Sequence, residues 1–178
     1  MNVQIVRNNE IFLYDAQIHG YDTSIIKALA GTPAISSNKL RLNAAEITTY
    51  SFFRNASVQF AMTIPTAPTS GDVREFGFNN PSAGNNARVE FVISGTTVTA
   101  VAYDATGTLI ASVPITWNSA WTNTETRYRI SLTERMAVFA VNDTIVATIE
   151  GAMPKVPMFV HLEQDNADNL DLAQIAVY

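Results

Sequence analysis

The side chains here that are equipped for chemistry are carboxylates, histidines, arginines and tryptophans. Acid–base cleavage of an acetal needs two carboxylates on one surface, about 5 Å apart for a retaining reaction. Glu75 follows Arg74 in the segment Val73–Asn79, and Glu90 stands alone in Ala87–Ser94. They make a pair only across strands, and two solvated carboxylates on polar strand faces explain them as well, so no catalysis is expected. Asp165, Asn166, Asp168, Asn169 and Asp171 crowd one short stretch, and hard cations take several oxygen ligands. The helix-loop-helix calcium spacing fails, because Ala167 holds the third position. Asp and Asn are also ordinary turn residues. Asp165 and Asp168 are thus weak calcium candidates, and no cofactor is expected. His19 and His161 lack ligand spacing. His161 lies between Val160 and Leu162 and reads as a sheet-face side chain.

Aromatic and basic residues speak more for binding. Trp117 and Trp121 flank Asn118-Ser119-Ala120 in a polar loop. Indole rings stack on the apolar faces of sugars, while Asn, Asp and Arg bond hydroxyls. Trp117 follows an apolar strand and closes a core equally well. Arg74, Arg88, Arg127 and Arg129 fall on the polar phases of their segments. If those segments are neighbours, they form one polar face with Glu75 and Glu90: a glycan groove, a protein interface, or solvated ion pairs worth little each.

Composition bounds these readings. The 178 residues are 47% apolar and 15% charged, as in a packed globular domain. The net charge is −5, and Lys occurs only at Lys27, Lys39 and Lys155, which argues against a nucleic-acid partner. With no cysteine there is no disulfide or thiolate metal site. No apolar run approaches the ~20 residues of a membrane helix, and no basic segment followed by an apolar run opens the chain, so neither membrane insertion nor a secretory leader is expected. Localisation is open, with a virion or the extracellular space as candidates. Asn55-Ala56-Ser57 and Asn142-Asp143-Thr144 are sequons, the second accounted for by a turn.

The elements that must position these residues are strands. Thr126–Gly151 is the clearest stretch. Tyr128, Ile130 and Leu132 alternate with polar residues, Thr133–Arg135 turns, Val138–Val141 returns, Asn142–Asp143 turns again, and Ile145–Ile149 runs out. Period-two alternation broken by turn residues predicts an antiparallel meander. Further strands are expected at Lys39–Asn43, Ala56–Ile64, Val73–Asn79, Ala87–Ser94, Thr97–Tyr103, Thr108–Ile115, Met158–Gln164 and Leu170–Tyr178. Residues 1–30 read as an irregular arm, a candidate docking segment, with short strands near Val3–Val6 and Ile11–Tyr14. Asp22–Ala30 is the one plausible helix, capped by Asp22 or Thr23 and stopped by Gly31. Residues 31–178 read as one β-sandwich domain.

The order of these features carries a resemblance. An alternating strand ends in Ile64-Pro65, Phe76-Gly77-Phe78 follows a loop, and Tyr128-Arg129-Ile130 leads to Val138-Phe139-Ala140-Val141-Asn142. A last strand, Leu172 to Val177, follows an acidic loop. This resembles the concanavalin A-like jelly roll of legume-type lectins, laminin G-like modules and laminarinase-type glucanases, over residues 36–178. The resemblance implies an all-β fold of two curved antiparallel sheets, with ligands on the concave face or loop rim. Its glucanases carry E-x-D-x-x-E or E-x-D-x-E on one strand, and no such run occurs here. The expected function is a non-catalytic module that binds carbohydrate or recognises a surface. The candidate ligand residues are Trp117, Trp121, Arg74, Glu75, Arg88, Glu90, Arg127 and Arg129. The alternatives are a virion decoration or fibre-head protein that packs as a homo-oligomer, and a degenerate glycoside hydrolase.

Overall fold

A computed structural model describes residues 12–80, 86–165 and 168–178. In chain order its elements are β1 (Phe12–Asp15), α1 (Ala16–His19), β2 (Ile26–Ala30), β3 (Ala34–Ser36), β4 (Lys39–Leu42), β5 (Ala45–Phe53), β6 (Ser57–Thr63), β7 (Val73–Asn79), β8 (Arg88–Ser94), β9 (Thr97–Tyr103), β10 (Leu109–Ile115), a 3-10 turn (Ser119–Trp121), β11 (Glu125–Leu132), β12 (Met136–Val141), β13 (Thr144–Glu150), β14 (Met158–Gln164) and β15 (Leu170–Val177). An eight-stranded sheet runs β13-β12-β11-β6-β15-β4-β3, with β1 also on β15; a seven-stranded sheet runs β10-β9-β8-β7-β14-β5-β2. All the pairings between named strands are antiparallel.

Alternation sorts each strand's side chains between the layers. Phe60 and Tyr128 from one sheet meet Phe76 and Phe91 from the other, with ring centroids 5.2–5.7 Å apart. Phe139 stands edge-on to Phe91 at 5.1 Å. The expected meander is β11–β13, and its Asn142-Asp143 turn has φ of +47° and +65°, the left-handed pair that lets a two-residue hairpin match strand twist.

Two expectations need correction. Asp22–Ala30 is not a helix: Asp22 turns the chain, accepting from the Ser24 backbone N–H at 2.8 Å, and Ile26–Ala30 then pairs with β5. Nor are residues 12–30 an irregular arm. β1 lies on β15 from Phe12↔Val177 to Asp15↔Gln174, and Tyr14, Ala16 and Ile26 are buried. The expected strand at Val3–Val6 lies outside the described residues. β5 went unread in the sequence, yet it is a nine-residue strand between β14 and β2.

Candidate functional site

The seven-stranded sheet turns its Phe76, Phe91 and Val160 face inward, which leaves a second face with three cross-strand rows. Directly paired residues of antiparallel strands point to the same side, so each row is read from the register. The first is Glu46–Glu163–Glu75–Val92, the second Thr48–His161–Gly77–Glu90–Val101, and the third Phe52–Phe159–Asn79–Arg88–Tyr103.

The second row is tied together across three strands. His161 Nδ1 lies 2.8 Å from Glu90 Oε1, and Nε2 lies 3.1 Å from Glu46 Oε1 and 3.9 Å from Glu163 Oε2. Gly77 sits between His161 and Glu90 and has no side chain, so imidazole and carboxylate meet over its backbone. A Cβ there would come within 2.3 Å of the Val89 carbonyl oxygen and 2.8 Å of Glu90 Cα. Burial pushes the His161 ring toward its neutral form. The hydrogen bonds it donates to Glu46 and Glu90 outweigh that and raise it to about 10. The bond to His161 in turn holds Glu46 below the ordinary carboxylate range. Glu163 goes the other way, up to about 7, through burial and its bond to Asp165. Burial and the nearby Glu90 also raise Glu75, against the pull of Arg88. Glu46, His161 and Glu163 each bring one donor atom within 4.8 Å of the other two, a set able to hold a cation.

The third row is aromatic and basic. Arg88 lies over the Tyr103 ring, 4.3 Å from its centroid, and donates to Glu75 Oε2 at 3.2 Å. Phe52, 60% exposed, packs edge-on against Phe159 at 6.4 Å. Asn79 and Arg88 stand between Phe159 and Tyr103 in the row, and rings beside polar groups are the combination that recognises an amphipathic ligand.

The residues picked from sequence separate into three places. Glu75, Arg88 and Glu90 share the face just described. Arg74 does not: it points into the core, fully buried, donating from Nε to Gln164 at 2.6 Å and from Nη1 to Asp72 at 3.1 Å. Its position beside Glu75 puts it on the opposite phase of β7, and Asp72 is the partner that lets a guanidinium lie inside. Arg127 and Arg129 belong to β11 in the other sheet, where Arg129 faces Asp143 at 3.7 Å. Trp117 and Trp121 meet edge-on at 5.4 Å, and Trp121 lies against Tyr128, so the loop packs on the core and lines a separate surface cavity with Asn118, Ser119 and Val146. Asp168 meets Thr66 and Arg74, Asp171 grips Arg41 in two bonds of 2.7 and 2.9 Å, and Asp165 is exposed. Asn166 lies outside the described residues.

Sequence reasoning passed over Glu46, Glu163, Asn79, Tyr103, Phe52 and Phe159, and read His161 as a sheet-face side chain without its carboxylate partners. A usable signal existed within strands: Phe159-x-His161-x-Glu163 and Glu75-x-Gly77-x-Asn79 each repeat at period two.

No protein-family model matches the chain, and no curated protein matches it in sequence. Solved structures do match in shape. A native glycosidic hydrolase superposes with TM-score 0.73 at 16% identity, over 94% of this chain and 94% of that one. The Bacillus licheniformis β-glucanase gives 0.76 at 13%, over 93% and 96%. The exoplasmic/lumenal domain of VIP36, in a Ca2+/Man3GlcNAc-bound form, gives 0.65 at 12%, over 91% and 86%. Two antiparallel sheets in this order, with hydrolases and a Man3GlcNAc-bound domain alike among the structures they resemble, make the fold of this chain the concanavalin A-like jelly roll.

Proposed function

We propose that the chain is a non-catalytic carbohydrate-binding module whose glycan lies across the outer face of the seven-stranded sheet. The observation that carries this reading is the row Phe52–Phe159–Asn79–Arg88–Tyr103, where two rings, an amide, a guanidinium and a third ring stand side by side in register. Sugar rings offer apolar faces to Phe159, Phe52 and Tyr103, and hydroxyls to Asn79, Arg88 and Glu75. Two domains of similar fold, the VIP36 exoplasmic/lumenal domain in its Man3GlcNAc-bound form and the Emp47p carbohydrate recognition domain, add support by analogy of fold. The non-catalytic reading rests on the outward positions of β7. They read Glu75, Gly77 and Asn79, a single carboxylate, so β7 presents no E-x-D-x-E run on this face. The virion alternative draws no support from this face.

A glycan array followed by calorimetry tests the proposal. Wild type binds at least one glycan, and Phe159→Ala or Tyr103→Ala weakens it by about tenfold or more, the loss of roughly 1.4 kcal/mol. Trp121→Ala, away from the face, retains binding. A chain that binds no glycan, or loses binding only through Trp121, sinks the proposal.

One observation favours a second reading, a glycoside hydrolase. Glu163 and Glu75 face each other in register, and Glu163 holds its proton up to about 7, as a general acid requires. That reading demands reducing-sugar release from a β-glucan panel that Glu163→Gln abolishes.

A further inference from the structure

The His161 imidazole is held from both sides. Glu90 takes Nδ1 at 2.8 Å, while Nε2 faces Glu46 at 3.1 Å and Glu163 at 3.9 Å. A carboxylate on one imidazole nitrogen fixes the ring's orientation and tautomer and makes the other nitrogen a better donor. Metal-binding histidines nearly always carry such a partner. Here the second nitrogen looks onto carboxylates from its own strand and the next one.

The spacing suits a small cation. On a tetrahedral ion with bonds of about 2.0–2.2 Å, ligand atoms stand about 3.3–3.6 Å apart. The Nε2–Glu46 separation of 3.1 Å is already near that. Glu163 closes from 3.9 Å by a small side-chain movement, which its partial exposure permits.

The charge count also favours a cation. Glu46, Glu90 and Glu163 meet one imidazole, which balances at most one of them, and Arg88 on the same face is engaged with Glu75 and Tyr103. Glu90, fully buried, stays on the Nδ1 side of the ring and leaves the Nε2 side to Glu46 and Glu163.

We propose that Glu46, His161 and Glu163 bind a divalent transition cation, with Glu90 as the positioning residue for the imidazole. One imidazole and two carboxylates suit Zn2+ or Mn2+; Ca2+ takes six or more oxygens, and Mg2+ keeps much of its water. Three protein ligands leave a position open toward solvent between Glu46 and Glu163, each 25% exposed at its side chain. The inference stands apart from the glycan reading, although the ion would lie beside the aromatic row.

The test uses the full chain, stripped with a chelator and titrated with Zn2+, Mn2+, Ca2+ or Mg2+ alone by calorimetry. The expected result is one Zn2+ or Mn2+ per chain, with Ca2+ and Mg2+ far weaker. Glu46→Gln and Glu163→Gln, both at partly exposed positions, lower the affinity at least tenfold, and Glu90→Gln lowers it about 10–100-fold, while circular dichroism reports an intact fold. Nitrogen NMR of the wild-type imidazole adds a readout that needs no variant: the ion shifts the Nε2 resonance of His161. The proposal is overturned if no ion binds at millimolar concentration, if binding survives both Glu46→Gln and Glu163→Gln, or if the His161 ring is unmoved. No glycan enters the experiment, so its outcome bears on the ion alone.

Discussion

Charge inside this protein is arranged residue by residue, and Arg74 is the sharpest case. A guanidinium with no solvent exposure needs partners for its charge: Nε donates to Gln164, Nη1 to Asp72, and Nη2, which makes no hydrogen bond, lies 3.6 Å from the Asp168 carboxylate. Asp72 is 2% exposed, so removal of Arg74 takes the guanidinium from a buried anion and leaves it the Thr69 backbone N–H among its partners. Breaking a buried pair from one side costs about 3–5 kcal/mol, while replacing both partners with matched uncharged groups costs far less. Arg74→Ala should therefore lower stability by about that amount, and Arg74→Met combined with Asp72→Asn should recover a good part of it. Urea denaturation of the four corners of this cycle measures the coupling, and additive losses would show that the pair is not the reason. Arg74 shares the phase of Phe76 and Phe78, but a guanidinium on that inner phase makes sense only with the partners that the fold brings to it. That assignment depends on Asp72 and Gln164, and the latter is 90 residues away.

At the scale of elements, the outer face depends on β7 lying between β14 and β8 with a glycine at its centre. Gly77 has φ of +155° and no room for a Cβ. Gly77→Ala should cost about 1–3 kcal/mol from backbone strain and push β8 from β7, which lengthens the His161–Glu90 bond. A lowered Tm together with a displaced His161 ring resonance is the expected pair of results; a drop in Tm with the ring unmoved would mean that Gly77 serves packing only. The Trp117–Trp121 loop belongs to this scale too. Trp121 rests on Tyr128 beside the core, so Trp121→Ala should destabilise by about 1–3 kcal/mol, less than for a fully buried ring. A melt unchanged from wild type would return that loop to the surface role its polar sequence suggests. Most strands were legible, because Val73–Asn79, Thr97–Tyr103 and Met158–Gln164 alternate cleanly and end at turn residues. β5 was not. Its pairing with β14 shifts register between Phe159 and His161, and Tyr50, Ser51 and Phe52 are exposed in succession. The bulge breaks the period-two pattern, so the strand that supplies Glu46 and Thr48 left no clean signal.

For the molecule as a whole, the issue is what the chain before Gly31 does. The segment Asp22–Ala30 has a helical spacing of Ile25, Ile26 and Leu29, and local propensity is a weak prior against a waiting sheet edge. The edge is β5, and β2 covers it from Ile26↔Thr49 to Ala30↔Glu46. β1 likewise covers β15, and Tyr14 is fully buried with its hydroxyl donating to the Gly20 carbonyl at 2.7 Å. A chain that starts at Gly31 loses both strands at once. Exposing the sites of Tyr14 and Ile26 alone removes about 1.5–3 kcal/mol each, and total stabilities run only about 5–15 kcal/mol. The truncation also bares β5 as an unpaired edge with Tyr50 and Phe52 outward, the kind of edge that recruits other chains. The shortened protein should therefore melt far below the full chain and elute as aggregate in size-exclusion chromatography, and it should lose zinc affinity because Glu46 sits on the uncovered strand. A monomer that melts within a few degrees of wild type would mean that residues before Gly31 are an appendage available to dock elsewhere. The pairing of β1 and β2 into separate sheets argues the opposite, that they fasten the two layers which hold the site.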